Sequence, residues 1–188
     1  DNLANVYPEK SEVFPTGIRL QLATPAGLIS FQVSLLGRLN VMNLVAVVTA
    51  LLALEYSSTA IERAMSILRP VPGRMELVSK PDAPVHVVVD YAHTPAALEQ
   101  ALDSLREHTT QRIWCVFGCG GERDPGKRPE MGAIADRLAD KIVLTNDNPR
   151  AEDPLQILGQ IESGIQRHKA LRIPDRREAI GFAIRQAD

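Results

Sequence analysis

The sequence predicts an α/β fold with a parallel-rich sheet in the second part of the chain, preceded by a β-hairpin and helices. Short, continuously apolar segments alternate there with longer segments of helical character, and this alternation is typical of βαβ units. Strands that are apolar throughout indicate a sheet covered on both faces. The 188 residues are 45% hydrophobic and 23% charged, which is the composition of an ordinary globular protein.

The composition argues against several classes of function. The formal net charge of −2 gives no broad attraction to nucleic acid or to a membrane surface. The mainly apolar run from Val41 to Leu54 is too short to span a bilayer. Cys115 and Cys119 have no metal-site spacing and no histidine cluster beside them. We therefore expect a cytoplasmic protein with reduced thiols, no bound nucleic acid, no membrane insertion and no metal site of its own.

The first part of the chain carries a hairpin signal followed by two helices. Residues 17–23 alternate between apolar and polar, and residues 28–36 follow after a short turn containing proline and glycine. The helix predicted over residues 37–54 is apolar around most of its surface, so we expect it to be buried. A second helix over residues 59–68 can be capped by a preceding serine.

The segment Arg69-Pro70-Val71-Pro72-Gly73-Arg74 predicts a domain boundary, because two prolines and a glycine exclude a helix. It divides the chain into residues 1–68 and 69–188. Beyond it, strands are predicted at residues 76–78, 85–90, 113–117, 142–144 and 171–173. Helices are predicted at residues 95–107, 128–139, 154–167 and from 175 onward. Because a doubly wound sheet normally has more strands, we expect this domain to be truncated at its C-terminal end.

The strand ending at Asp90 is the first to place polar side chains at the carboxyl edge of the sheet, where ligands bind in open parallel sheets. Asp90 can bind a ribose hydroxyl or orient a cation, and Tyr91 and His93 follow it. Thr94 can cap the next helix, with Pro95 at its first position. The alternative is that Asp90 only caps the turn and that His93 only hydrogen-bonds to the backbone.

A glycine-rich loop follows the next strand. Residues 118–121 allow the backbone to turn sharply and to approach a ligand, and Arg123, Lys127 and Arg128 add positive charge near a helix start. The pattern is neither Gly-x-Gly-x-x-Gly nor a P-loop. An anionic ligand is favoured, and an ordinary solvated loop is the alternative.

A third polar segment, Asp147-Asn148-Pro149-Arg150, follows the strand after that. Pro149 restricts its own backbone and that of Asn148, so the Asn148 amide and the Arg150 guanidinium have defined directions. A guanidinium binds a carboxylate bidentately, and an amide binds either ammonium or carboxylate. The pair suits an amino acid, although Asn-Pro is also a common turn.

Two asparagines in the first part of the chain are further candidates. Asn40 and Asn43 lie three residues apart at the start of the predicted apolar helix, so they share one face. Their amides can hydrogen-bond to an adenine edge or to phosphate oxygens. Helix capping explains Asn40 equally well, whereas an amide in an apolar helix needs a partner if it is buried.

Together these segments resemble the Mur ligases of peptidoglycan synthesis, and within that family the branch that adds meso-diaminopimelate. The resemblance covers essentially the whole chain. It rests on five motifs in family order, namely Gly37–Asn43, Pro72–Glu76, Asp90–Pro95, Phe117–Pro129 and Asp147–Arg150. It implies that residues 69–188 form most of a Rossmann-like C-terminal domain and that residues 1–68 form the end of a P-loop ATPase-type central domain.

The resemblance implies ATP-dependent formation of an amide bond. In this family the D-glutamate carboxylate of a UDP-N-acetylmuramoyl-dipeptide becomes an acyl phosphate, which the amine of an amino acid attacks, and the reaction uses ATP and Mg²⁺. By motif, the implied ATP-binding residues are Asn40, Asn43, Arg74, Asp90 and His93. The implied meso-diaminopimelate-binding residues are Arg123, Asp147, Asn148, Pro149 and Arg150, of which the last four select diaminopimelate over lysine.

The sequence departs from the family pattern in two respects. It contains no Gly-Lys-Ser/Thr P-loop, and it lacks the Gly-Lys-Gly-His-Glu motif that completes the amino-acid site. We therefore expect this 188-residue piece to be catalytically inactive alone. The alternatives are a lysine-adding Mur ligase, a ligase of the folylpolyglutamate synthase type, or a nucleotide-binding module without catalysis. A dinucleotide oxidoreductase is disfavoured because its glycine fingerprint is absent.

Overall fold

A computed structural model describes residues 5–187, and the first element of these residues is a three-stranded antiparallel sheet. Its strands are β1 (Tyr7–Phe14), β2 (Gly17–Thr24) and β3 (Gly27–Val33), in the order β1-β2-β3. The hairpin of β2 and β3 confirms the prediction. Strand β1 was not predicted, because it is an edge strand whose mostly exposed, polar residues hide the apolar alternation of a strand.

Two helices, α1 (Arg38–Ala53) and α2 (Ser58–Ser66), cover one face of this sheet. The alternate residues Ile18, Leu20 and Leu22 of β2 are fully buried against them. The side chain of Ser57 accepts a hydrogen bond from the Ala60 N–H, so the serine cap of the second helix is confirmed.

The expectation that α1 is buried on most of its surface is wrong. Val41, Leu44 and Val48 are buried, whereas Leu39 and Met42 are 58% and 63% exposed. The physical reason is that a small three-stranded sheet and one short neighbouring helix contact only one face of a four-turn helix. The apolar residues on its other faces border a groove or lie at the surface of the described residues.

Residues 67–75 form the connector, and two very short strands follow it. Strands β4 (Glu76–Leu77) and β5 (Val88–Val89) pair with each other in antiparallel register. The prediction of a strand over residues 85–90 within the parallel sheet is therefore wrong in extent and in pairing. Residues 78–87 connect β4 to β5 without a helix, so they lack the crossover that parallel pairing requires.

The predicted parallel sheet consists of β6 (Trp114–Phe117), β7 (Lys141–Leu144) and β8 (Leu171–Arg172), in the order β6-β7-β8. Helices α3 (Pro95–His108), α4 (Lys127–Leu138) and α5 (Pro154–Glu162) pack on one face, and α6 (Arg176–Gln186) packs on the other. The sheet is thus covered on both faces, which confirms the predicted α/β class. Within residues 5–187, no helix is long and apolar enough to cross a membrane.

Helix α5 ends five residues earlier than predicted, because a carboxylate binds the backbone that follows it. Buried Asp136 of α4 accepts hydrogen bonds from the N–H groups of Gln166, Arg167 and His168 at 2.8–2.9 Å, and from the His168 ring. Burial by itself raises the pKa of Asp136, but these donors outweigh it and lower the pKa to about 2. Asp136 therefore stabilises the turn between α5 and β8 as an anion.

A buried histidine connects the first sheet to the second half of the chain. His108, at the end of α3, accepts the Gly37 N–H at Nε2 (2.9 Å) and donates from Nδ1 to the Phe14 carbonyl (2.7 Å). These roles require the neutral ring with its proton on Nδ1.

The hydrophobic clusters divide near the connector, since one is built from residues 6–68 and the others from residues 92–183. This division supports the predicted boundary at residues 68 and 69, which stays a prediction.

We expect Asp136→Asn to lower the free energy of unfolding at pH 7 by about 2 kcal/mol, because three backbone N–H donors and the His168 ring lose a charged acceptor. The pKa of Asp136 is below its ordinary value of 3.8, so its contribution is present above pH 3.8 and is lost as the pH falls towards 2. The difference between variant and wild type should therefore shrink between pH 4 and pH 2 in urea titrations. Asp103→Asn, at an exposed aspartate of α3, is the control, and equal effects of the two variants would contradict the assignment.

Candidate functional site

A groove of about 500 Å³ lies between α1, the connector and α3. Asn40 and Asn43 line it from α1, Arg74 from the connector and Asp90 from the end of β5. The structure therefore brings together four of the five residues predicted to bind ATP. They come from three separate parts of the chain and meet because the connector passes between α1 and α3.

The two asparagines form a short hydrogen-bonded chain on the groove wall. The Asn40 amide donates to the Leu36 carbonyl at 2.7 Å, and the Asn43 amide donates to Asn40 Oδ1 at 3.2 Å. Asn43 is exposed rather than buried, so its place in an apolar helix needs no internal partner. The chain fixes the orientation of both amides and leaves Asn43 accessible to a ligand in the groove.

Both carboxylate oxygens of Asp90 bind backbone groups. Oδ2 accepts the Met75 N–H and Oδ1 accepts the Ala92 N–H, each at 2.8 Å. The capping role that the sequence left open is therefore present. Met75 has a φ of 47°, a conformation that a non-glycine residue adopts only when its surroundings hold it. The Arg74 guanidinium lies over the Tyr91 ring, 5.1 Å from its centre, so Asp90 positions Arg74 through the connector backbone.

His93 does not line the groove, as far as the described residues define it. Its ring is exposed, contacts the Tyr91 ring edge-on with centres 5.0 Å apart, and bonds through Nδ1 to the Tyr91 carbonyl at 3.0 Å. Lys127, the first residue of α4, donates to the His93 carbonyl at 2.9 Å. The segment around His93 thus connects the groove to the glycine-rich loop.

The loops that follow β6 and β7 pack backbone against backbone. The Gly121 N–H donates to the Asn148 carbonyl at 2.8 Å. A Cβ atom would lie 2.0 Å from the Thr145 carbonyl oxygen if placed on Gly118, and 1.9 Å from that of Pro149 if placed on Gly121. These glycines are therefore required for contact between the two loops, in addition to any approach to a ligand.

The residues predicted to bind meso-diaminopimelate lie on these two loops. Arg123, Asp147, Asn148 and Arg150 are exposed, and Pro149 is half-buried. The Arg150 N–H donates to Asn148 Oδ1 at 3.2 Å, and its guanidinium makes a long bond of 3.5 Å to the Glu122 carbonyl. The Arg150 side chain is thereby directed towards the segment that carries Arg123. The structure thus places both arginines at one edge of the sheet.

The sequence suggested Arg128 as a binding residue for an anionic ligand, but the structure leaves it inaccessible to one. Its side chain is 1% exposed, and it forms an ion pair with Glu152 at 2.7 Å. The hydrogen bond from the Arg128 guanidinium, together with that from the Glu122 N–H, lowers the pKa of Glu152 to about 2. The sequence contained no signal for this pair, because the partners are 24 residues apart, with Arg128 at the start of α4 and Glu152 in the segment before α5.

The two cysteines and the acidic residues show no metal-binding arrangement in residues 5–187, where no group of three or more potential ligands converges. Cys115 and Cys119 are both free and buried. Burial raises the pKa of the Cys115 thiol to about 12 and also raises that of Cys119. Both thiols therefore belong to the apolar core rather than to the site.

The described residues thus form an α/β domain with candidate binding residues at its strand ends and in a groove beside the connector. Residues 73–188 match the family described as Mur ligase, glutamate ligase domain. The chain belongs to the Mur ligase family.

Individual relatives extend this comparison. The whole chain is 45% identical to the UDP-N-acetylmuramoyl-L-alanyl-D-glutamate–2,6-diaminopimelate ligase of Coxiella burnetii and covers 38% of that protein. A solved ligase of the same description is 40% identical, with a TM-score of 0.76 over 100% of this chain and 39% of its own. Folylpolyglutamate synthase of Mycobacterium tuberculosis, complexed with ADP, is 22% identical with a TM-score of 0.72 over 97% of this chain and 41% of its own, which shows the shared fold. The chain thus spans about 40% of the length of these relatives.

We expect Gly121→Ala to lower the free energy of unfolding by about 1–3 kcal/mol, because the new methyl group overlaps the Pro149 carbonyl and the loops must separate. Gly120→Ala is the matched control one residue away. Its Cβ would have ordinary contact with the Asn148 carbonyl at 3.6 Å, so a change below about 0.5 kcal/mol is expected. Urea denaturation of both variants measures the difference, and similar values would show that the loops are not packed as described.

Proposed function

We propose that this chain supplies the amino-acid site and part of the ATP site of a ligase that adds meso-diaminopimelate to UDP-N-acetylmuramoyl-L-alanyl-D-glutamate. The observation that carries the proposal is the location of Arg123 and Arg150 on two loops packed together at one sheet edge. A relative that is 45% identical over the whole chain is named as a ligase for the same substrates, which supports the proposal. The two free cysteines fit a reducing compartment and thus a cytoplasmic enzyme.

The amino-acid site suits a ligand with a carboxylate on its side chain. Diaminopimelate differs from lysine in a carboxylate on the carbon that carries the distal amine. The Arg150 fork can bind this carboxylate bidentately, and the Asn148 amide, fixed by the Arg150 N–H, can bind the neighbouring ammonium. Lysine would leave the guanidinium without its anion when the ligand excludes water, which penalises lysine.

The groove suits ATP in volume and in chemistry. Asn40 and Asn43 offer oriented amides for a base edge or for phosphate oxygens, and Arg74 offers a positive charge on the facing connector. Asp90 acts mainly by holding the connector, because both of its oxygens accept backbone N–H groups. His93 lies outside this lining among the described residues, so we assign it no direct contact with ATP.

Magnesium is part of the proposed reaction, because it offsets charge on the phosphates when bound. Residues 5–187 offer no converging carboxylates for the ion, so we assign it no ligand from this chain. The role of the chain's own residues is to hold the nucleotide and to orient the amine of diaminopimelate. Orientation of this kind converts an encounter between two substrates into an effectively unimolecular step.

The first test measures ligation by the complete enzyme that carries this segment. We expect ATP-dependent product with meso-diaminopimelate and little with lysine. The 188-residue chain by itself contains no Gly-Lys-Ser/Thr P-loop, so we expect no ligation by the purified chain. Preference of the complete enzyme for lysine would overturn the proposed substrate.

The second test is Arg150→Ala in the complete enzyme. We expect kcat/KM for meso-diaminopimelate to fall about 10- to 100-fold, because a charge-assisted hydrogen-bond pair is lost, while KM for ATP stays unchanged. Arg63→Ala, at an exposed arginine of α2, is the matched control and should change neither parameter. Unaltered diaminopimelate use by Arg150→Ala would exclude Arg150 from the site.

A further inference from the structure

The Arg128 guanidinium, at the start of α4, donates to four acceptor atoms on three residues. One terminal nitrogen donates to Glu152 Oε2 at 2.7 Å and to Gln160 Oε1 at 2.5 Å. The other donates to Glu152 Oε1 at 2.9 Å and to the Gly120 carbonyl at 3.3 Å. Arg128 therefore contacts the glycine-rich loop, the residue that follows the second loop, and α5 at the same time.

The Glu152 carboxylate connects the two loops directly. Besides Arg128, it accepts the N–H of Glu122, the residue immediately before Arg123. The backbone N–H of Glu152 in turn donates to the Pro149 carbonyl at 3.0 Å. Glu152 is thus hydrogen-bonded both to the residue before Arg123 and to the residue before Arg150.

Both loops have a strained residue beside this ion pair. Glu122 has a φ of 51° and Arg150 a φ of 52°, in the left-handed region that non-glycine residues seldom occupy. Such conformations persist where neighbouring bonds impose them, and they are concentrated at ligand sites. Here the imposing bonds are the Glu122 N–H to Glu152 and the Arg150 N–H to Asn148.

The pair is poorly arranged for stability alone. Arg128 is almost fully buried, and its Nε has no partner among the described residues. Burial of a charge with incomplete hydrogen bonding is costly, and apolar residues of similar volume commonly stabilise a fold as well or better. The directional bonds to both loops therefore indicate a role in geometry.

We propose that the Arg128–Glu152 pair is a positioning device that sets the spacing of Arg123 and Arg150, and hence the affinity for diaminopimelate. This inference rests on the proposed function. Neither residue touches the substrate in this assignment. Removal of the pair leaves both binding arginines in place on loops that are free to shift, and small displacements of binding groups are sufficient for large losses.

The test compares Glu152→Gln with wild type in the complete ligase. Glutamine keeps the volume and can accept one hydrogen bond, but it cannot bind both Arg128 and the Glu122 N–H as an anion. We expect KM for meso-diaminopimelate to rise about tenfold or more, while KM for ATP changes less than about twofold. Arg128→Lys, which keeps the charge but lacks the planar fork, should raise the same KM and leave that for ATP unchanged.

Arg137→Gln is the matched control for a loss of stability. It removes another ion pair of α4, with Glu99 of α3 at 2.6 Å, that touches neither loop. We expect it to leave both KM values unchanged even where thermal unfolding shows a lower Tm. If Glu152→Gln lowers Tm without a selective rise in KM for diaminopimelate, the positioning role is wrong and the proposed function stands. If wild-type enzyme does not use diaminopimelate, both are wrong.

Discussion

The contact between the backbones of residues 118–121 and 145–150 is the constraint on which the candidate amino-acid site depends. Strands β6 and β7 are parallel neighbours, so their carboxyl ends open at the same edge of the sheet. Gly118 and Gly121 allow the two loops to approach until carbonyl oxygens occupy the space of a side chain. Arg123 and Arg150 are thereby brought to one edge without contributing to the core.

Carboxylates that accept backbone N–H groups occur at two of the candidate binding segments. Asp90 binds the Met75 N–H in the connector, and Glu152 binds the Glu122 N–H in the glycine-rich loop. Met75 and Glu122 are both in the left-handed region, so each carboxylate stabilises a strained residue immediately beside a candidate binding arginine. An anionic acceptor forms stronger hydrogen bonds than a neutral one. A carboxylate can therefore hold loop backbone in place where no helix or strand hydrogen-bonds to it.

The groove and the amino-acid loops are also linked to each other. Lys127 at the start of α4 donates to the carbonyl of His93, two residues before α3, and both helices pack on the same face of the parallel sheet. In the proposed reaction an activated carboxylate meets an amine, so a fixed relation between the candidate nucleotide and amino-acid sites would help to orient the two groups. His93 contributes to this relation through its backbone rather than its ring.

The sequence by itself determined the α/β class, the hairpin, the principal helices and the strand ends where polar residues gather. These follow from local periodicity, from proline and glycine and from capping residues, which act within a few positions along the chain. Family motifs further indicated Asn40, Asn43, Arg74 and Asp90, which the structure gathers in one groove.

Only the tertiary structure decided which polar residues are internal and which are accessible. Arg123 and Arg128 looked equivalent in sequence, yet one is exposed and the other is buried against Glu152. The edge strand β1, the antiparallel pairing of β4 with β5 and the exposed face of α1 likewise depended on neighbours distant in the chain. The physical reason is that burial and ion pairing depend on partners tens of residues away, and no local pattern specifies those partners.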